Sequence, residues 1–338
     1  MRRSVMVAIC GVVLLIATMI ISLFLGASSM SMAEVWAVLT HKTGLWQTPD
    51  VPPPSQLRQS ILFELRIPRI LMAAAVGAAL AVAGVSLQAV TRNDLAEPYL
   101  LGVSSGASTG AVTVLVFVSG SSIGLTGGAA IGAILSFAVL MGLLRGTGFT
   151  STRVVLTGVL VGQLFSAITS LLLMAKGDAE SVRGVMFWLL GALGSARWDS
   201  LTIVAICCGV ASGILWAMSR YFDGLSFGDD TAESMGIPVT AVRGIALVTV
   251  ALLTASTVSA VGAIGFVGLI VPHAARLLVG PVHSRLTPVA AIIGAILLVL
   301  TDALARSVFA PQEIPVGVFT ALVGVPIFFV LLKRGNRL

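Results

Sequence analysis

Long apolar runs separated by short polar intervals dominate this chain. Near-continuous stretches of Val, Leu, Ile, Ala and Gly fall at Val5–Gly26, Ile70–Val90, Tyr99–Val118, Ile123–Leu144, Val154–Met174, Leu201–Met218, Val242–Val261, Ile264–Val279, Leu286–Phe309 and Val316–Leu332. A helix crossing a hydrocarbon core about 30 Å thick needs roughly 20 such residues, so these runs predict membrane-spanning helices. Backbone polar groups in lipid have no water to bond, and a helix satisfies them within one segment. The pattern therefore predicts an all-α polytopic membrane protein of about ten spans, a single transmembrane domain over residues 1–338.

The polar intervals orient it. With an inner N-terminus, about twelve Lys and Arg fall on the inner side and about eight on the outer, a positive-inside bias that puts both termini in the cytoplasm. Two outer intervals are longer than the rest. Ala27 to Arg69 contains Pro52-Pro53-Pro54, which predicts a loop because proline has no N–H to donate. Ala175 to Asp199 carries Trp188 and Trp198, suited to an interfacial aromatic belt.

Composition closes other classes. Of the 338 residues 57% are hydrophobic and 10% charged, which would leave a soluble domain with large exposed apolar patches. The net charge of +6 is scattered through short loops rather than massed, so it reads as anchoring against a lipid bilayer and not as nucleic-acid binding. Cys10, Cys207 and Cys208 fall in apolar runs and read as inert thiols. The first apolar stretch follows Arg2-Arg3 and is about twice the length of a signal-peptide core, which predicts a retained helix. Glycines recur every fourth residue at Gly102, Gly106 and Gly110, at Gly128 and Gly132, and at Gly158 and Gly162. That spacing suits either close helix packing in lipid or ordinary membrane-helix glycine.

Candidate chemistry is sparse. The three lysines, Lys42, Lys176 and Lys333, do not follow glycine, so there is no Gly-Lys-Ser/Thr phosphate loop to hydrolyse ATP. His41, His273 and His283 lack the spacing of a metalloprotease or multi-histidine metal site. Asp302 is the clearest carboxylate within a span, and Arg306, four residues later, is placed to pair with it. An ion-coupled secondary carrier using Asp302 is the rival from another class.

Several separated motifs change the picture. They are Arg66-Ile67-Pro68-Arg69, Thr91-Arg92-Asn93-Asp94-Leu95-Ala96-Glu97-Pro98, Leu101-Gly102-Val103-Ser104-Ser105-Gly106-Ala107, Trp188-Leu189-Leu190-Gly191, Gly268-Leu269-Ile270-Val271-Pro272-His273 and Glu313-Ile314-Pro315-Val316-Gly317. In order and spacing they resemble the FecCD family of ABC transporter permeases, which includes importers of iron-siderophores, haem and vitamin B12. Asp94 departs from the family's usual proline there, which leaves that turn less rigid unless the side chain caps the next helix.

The resemblance implies a dimer of permeases, identical or related, with a central pathway for an iron-siderophore, haem or cobalamin. It implies a periplasmic or lipoprotein substrate-binding protein outside and separate ABC ATPase subunits inside, in a bacterial cytoplasmic (inner) membrane. ATP and Mg would sit on the ATPase, with no cofactor bound by this chain. Arg66, Arg69 and Arg306 match the outer arginines that meet acidic residues of the binding protein, although snorkelling anchors would look alike in sequence. Within an inner loop of about 219–242, Asp229, Asp230, Thr231, Ala232, Glu233, Ser234, Met235 and Gly236 resemble a coupling helix, capped by Asp229 or Asp230 and ended by Gly236. A solvated loop is the plain alternative. Asn93, Leu95, Ser151 and Thr152 match inner constrictions, and Gln163, Ser166, Thr169 and Ser170 offer a mildly polar wall on the fifth span. Pro272 is expected to kink its helix, and His273 to be a packing residue.

Overall fold

The computed structural model describes residues 2–26, 30–43, 55–117, 124–147, 149–176 and 179–335. The proline run at 52–54 and Arg337 lie outside the described residues. Among the described residues the regular structure is helical throughout: α1 (Arg2–Phe24), α2 (Met32–Thr43), α3 (Gln56–Ser60), a π-helical turn (Ile61–Arg66), α4 (Ile67–Thr91), a 3-10 turn (Pro98–Leu101), α5 (Val103–Phe117), α6 (Gly124–Thr147), α7 (Ser151–Lys176) and α8 (Ala179–Leu189). There follow α9 (Trp198–Ala217), α10 (Ser219–Leu225), α11 (Asp229–Ser234), α12 (Val239–Val261), α13 (Val267–Val279), α14 (His283–Ser307) and α15 (Val316–Gly335).

Among the described residues seven helices are long and apolar enough to cross a membrane, and with the apolar α5, α13 and α15 they account for the ten runs read in the sequence. Helices α5 and α13 are short for local reasons. The run from Tyr99 becomes helical only at Val103, because Pro98 opens a tight turn and Gly102 closes it in the left-handed region at φ 73°. The run from Ile264 becomes helical only at Val267, after Gly262 and Phe266, both at positive φ. With 13 residues α13 spans about 20 Å, too short to cross a hydrocarbon core about 30 Å thick by itself.

At the centre stands α4, most of whose length is buried, with α9, α12, α13 and α14 packed around it. A second layer is formed by α5, α6 and α7, while α1 lies against α14 and exposes most of its apolar surface, as a lipid-facing helix should. The recurring glycines serve close packing. A Cβ at Gly110 would lie 2.0 Å from the Gly128 carbonyl oxygen, and one at Gly132 would lie 2.2 Å from that of Gly106. Lipid offers no hydrophobic drive between helices, so such close backbone contact supplies the attraction.

The long outer interval is not all loop. Its end continues through α3 and the π turn into α4 as one 36-residue helix, and the second long interval contains the amphipathic α8. Trp198 on the outer side donates its indole N–H to the Phe63 carbonyl at 2.8 Å, and Trp216 on the inner side donates to that of Ser284 at 3.1 Å.

Candidate functional site

The residues singled out in the sequence gather mainly in an outer arginine cluster, an inner helix and a pocket beside that helix.

The outer cluster forms where the π turn, α14 and the end of α1 meet. Helix α1 leaves its last carbonyls without intrahelical partners, and two guanidinium groups supply them. Arg66 donates to the Leu23 carbonyl, and Arg306 donates to the Leu25 carbonyl at 3.0 Å and to Ser22 Oγ at 2.7 Å. Arg306 also pairs with Asp302 at 3.0 Å, the i, i+4 pair expected from the sequence. Arg69 takes the other oxygen of Asp302 at 2.9 Å and reaches Glu313 at 2.8 Å. Asp302 is thus a fully buried carboxylate held between two arginines, which offsets its desolvation. All three arginines line one cavity of about 230 Å³ with Gly26, Gly194 and Glu313. Arg66 and Arg306 are turned inward and buried, so Glu313 is the exposed charged group of the cluster.

The inner helix is α11. Asp229 does not cap it: Gly228, at φ 101°, occupies the N-cap, and the Asp229 carboxylate turns back to form a two-pronged bond with Arg243 at 2.7 and 2.8 Å. Arg92 adds a weaker contact at 3.6 Å. The bonds from Arg243, and then the charges of Arg243 and Arg92, hold the Asp229 carboxyl below its ordinary range. Gly236 does end the helix, at φ 82°, with its N–H on the Glu233 carbonyl at 2.9 Å. Ala232 is fully buried, whereas Asp230, Thr231, Glu233, Ser234, Met235 and Gly236 are exposed. A one-and-a-half-turn helix anchored by one alanine and one carboxylate leaves the rest of itself exposed.

The pocket adjoins this helix through Arg92. It has a volume of about 560 Å³ and is lined by Thr91, Arg92, Asn93, Ser151, Thr152, Val155 and Leu156. The structure therefore brings together three of the four predicted constriction residues. Leu95 stands beside them, exposed, with its N–H on Asn93 Oδ1 at 2.9 Å. Gln163 and Ser166 lie farther along α7 on its exposed face, and the Ser166 hydroxyl reaches Ser105 Oγ at 3.3 Å. Thr169 is instead buried, bonded to the Thr109 hydroxyl at 2.8 Å, and belongs to the α5–α7 packing rather than to the wall.

Some contacts around these places were not apparent from sequence. Arg243 donates to the Val90 carbonyl at 3.2 Å and to that of Phe149 at 3.4 Å as well as to Asp229, tying α11 to the end of α4 and to the loop before α7. Asp94 accepts from Arg276 at 3.0 Å, and Arg276 also donates to Gln88 at 2.7 Å, so an ion pair restrains the turn that lacks its proline. His273 packs edge-on against Phe328, with Nδ1 against the Leu269 carbonyl at 3.2 Å, in keeping with a packing role. Gly102-Val103-Ser104-Ser105-Gly106 spells a Gly-x-Ser-x-Gly nucleophile elbow, but it joins a 3-10 turn to α5 and lacks the strand that an elbow requires.

A helical bundle of about ten crossings, with a polar inner pocket beside a short exposed helix, defines a membrane transport permease. The FecCD transport family matches residues 14–334, and the chain belongs to that family. It is 36% identical to the iron(3+)-hydroxamate import system permease protein FhuB of Bacillus subtilis (strain 168), over 99% of this chain and 84% of the relative. It is 40% identical to the cobalamin import system permease protein BtuC of Halobacterium salinarum, over 81% of this chain and 74% of the relative. A solved structure described as an inward-facing conformation of a metal-chelate type ABC transporter superposes with a TM-score of 0.85 at 32% identity, covering 97% of this chain and 98% of that one.

Proposed function

We propose that this chain is the permease subunit of a binding-protein-dependent ABC importer that carries a ferric siderophore across a bacterial cytoplasmic membrane. The observation that carries the reading is Arg243, which links the exposed helix α11 to the rim of the inner pocket. A subunit pressing on α11 would thereby act on the pathway. ATP and Mg would bind on that separate ATPase subunit, and a second permease, identical or related, would complete the pathway. The hydroxamate relative matched over nearly the whole chain favours an iron-chelate cargo. Cobalamin is the second reading, favoured by the 40% match to a cobalamin permease. Uptake by the assembled transporter with a panel of ferric hydroxamate, ferric citrate, haem and cobalamin decides between them: saturable accumulation of a ferric chelate supports the first, and cobalamin alone would replace it.

Outside, a substrate-binding protein would dock over the arginine cavity, its carboxylates taking the place of Glu313 on Arg69. Arg69→Ala is then expected to weaken capture of the loaded binding protein about tenfold with the permease still folded, because Asp302 keeps Arg306. Arg306→Ala should instead lower thermal stability, since it removes one of the two arginines on buried Asp302 together with the donors to the Leu25 carbonyl and Ser22 Oγ. Binding-protein titrations and thermal melts on detergent-solubilised variants check the two in turn, and unchanged capture by Arg69→Ala would refute the docking assignment.

A further inference from the structure

Glu97 is a half-buried acidic residue among the apolar helices that no role above employs. It follows the inner end of α4 in a segment, 92–102, that turns back into the membrane before α5 begins. Its depth is set by its neighbours. Adjacent Pro98 packs on Gly268, which in turn lies against Leu80 and Gly84 near the middle of α4. Placing a carboxylate there is costly in lipid, so its partner is informative.

That partner is the start of α13. The Phe266 N–H donates to Glu97 Oε1 at 2.7 Å. A helix N-terminus offers unbonded N–H groups and the positive end of the helix dipole, and α13 has no side-chain cap of its own. Phe266 is held at φ 69°, a conformation that a non-glycine residue adopts only where the surroundings enforce it. Two residues on, Tyr99 makes both available bonds to one residue: its hydroxyl donates to the Ile264 carbonyl at 3.0 Å and accepts from the Ile264 N–H at 2.8 Å. The far end of α13 is tied to the same segment through Arg276 and Asp94.

Helix α13 is thus strapped at both ends to the re-entrant segment. The opposite side of that segment meets the pathway helix. The Leu100 carbonyl sits where Gly158 of α7 has no side chain, Gly102 lies against Val161 and Gly162, and Ser136 of α6 donates to the Gly102 carbonyl at 2.8 Å. At its inner end Arg92 contacts Asp229 of α11. The segment and α13 therefore form one body that touches α11 below and α7 beside it. Packed bodies of this kind move by small rigid shifts rather than by gradual deformation.

We propose that Glu97 is a positioning residue for transport: by fixing the start of α13 to the re-entrant segment, it stiffens the segment through which movement at α11 reaches α7. This rests on the ABC-permease reading, in which a partner ATPase drives α11. The role needs an acceptor at Oε1, and glutamine also supplies one. In contrast, alanine releases the start of α13.

The test measures solute taken up per ATP hydrolysed by the complete transporter in vesicles. For Glu97→Ala the ratio is expected to fall about fivefold to tenfold while ATP hydrolysis per assembled complex stays within about twofold. Glu97→Gln is expected to keep the ratio near that of the unaltered protein. Uptake and hydrolysis falling together, an unchanged ratio in Glu97→Ala, or a Gln variant as impaired as the Ala variant would overturn the proposal. If Glu97→Ala does not assemble, Tyr99→Phe decides: it removes both bonds to Ile264 and keeps the ring, so a reduced ratio supports the role and an unchanged ratio overturns it. Absence of ATP-dependent uptake by the unaltered transporter would be a failure of the permease reading instead, and is seen before any variant is compared.

Discussion

Arg243→Ala is expected to reduce uptake more than about thirtyfold and to release the ATPase during co-purification, while the membrane helices stay folded. Hydrogen bonds to charged groups contribute about 1.5–3 kcal/mol each, and this side chain makes two to Asp229 besides those to the Val90 and Phe149 carbonyls. Some of that loss is recovered, because Asp229 is a third exposed and water can reach it. What remains still exceeds the stability of a six-residue helix, since so short a helix does not persist alone in water. Helix α11 then loses its fixed position relative to the pocket. Arg243→Lys should restore only part of the function, because an ammonium cannot fork onto a carboxylate.

The same pair sets a pH response. The folded-state carboxyl of Asp229 lies below its ordinary value of 3.8, so its contribution is fully present above that value and is lost as pH falls through the folded value. ATPase association should therefore be insensitive to this pair around neutral pH and weaken only in acid. Co-elution across a pH series checks it. An Arg243→Ala transporter that retains both ATPase and uptake would contradict the assignment of α11.

Gly84→Val is expected to abolish recovery of folded protein. A Cβ at Gly84 would lie 2.0 Å from the Gly268 carbonyl oxygen and 2.7 Å from the Gly268 Cα. Both obstacles are backbone, so no rotamer change relieves them, and the cost exceeds the roughly 1–3 kcal/mol usual for core overpacking. The same holds at Gly77, where a Cβ would stand 2.2 Å from the Gly294 carbonyl oxygen. Gly209→Ala on α9 is the control, since nothing lies within 4 Å of the added carbon. There the removed flexibility should leave the melting temperature unchanged or slightly raised. Size-exclusion profiles and melting in detergent separate the outcomes, and a normally folded Gly84→Val chain would mean that α4 and α13 are not so closely packed.

Much of this architecture was legible because lipid imposes one simple rule, a long apolar run for each crossing. The rule weakens where the chain turns back inside the membrane. Tyr99 and Ile264 are as apolar as their neighbours and read as span, yet Pro98, Gly102 and Gly262 keep them out of the helices. The three outer arginines could be grouped by resemblance, and the structure does place them in one cavity, but the inward turn of Arg66 and Arg306 depends on carbonyls at the end of α1, which no local pattern announces.

Functional links between distant residues were the least visible. Asp229 and Arg243 are only 14 residues apart, but Glu97 meets Phe266 across 169 and Arg276 meets Gln88 across 188. Each is a polar group whose burial becomes tolerable only through its partner, so neither member explains itself alone. The Asp302–Arg306 pair could be read because one helical turn brings its members together.

The central claim is that this chain moves its cargo by energy delivered to α11 from outside itself. The most direct measurement is uptake of a ferric hydroxamate into vesicles containing the chain with its ATPase and binding protein, with ATP and ion gradients varied separately. Accumulation that requires ATP and the ATPase, and persists when proton and sodium gradients are collapsed, is the predicted result. Accumulation by the chain alone on an ion gradient would contradict it.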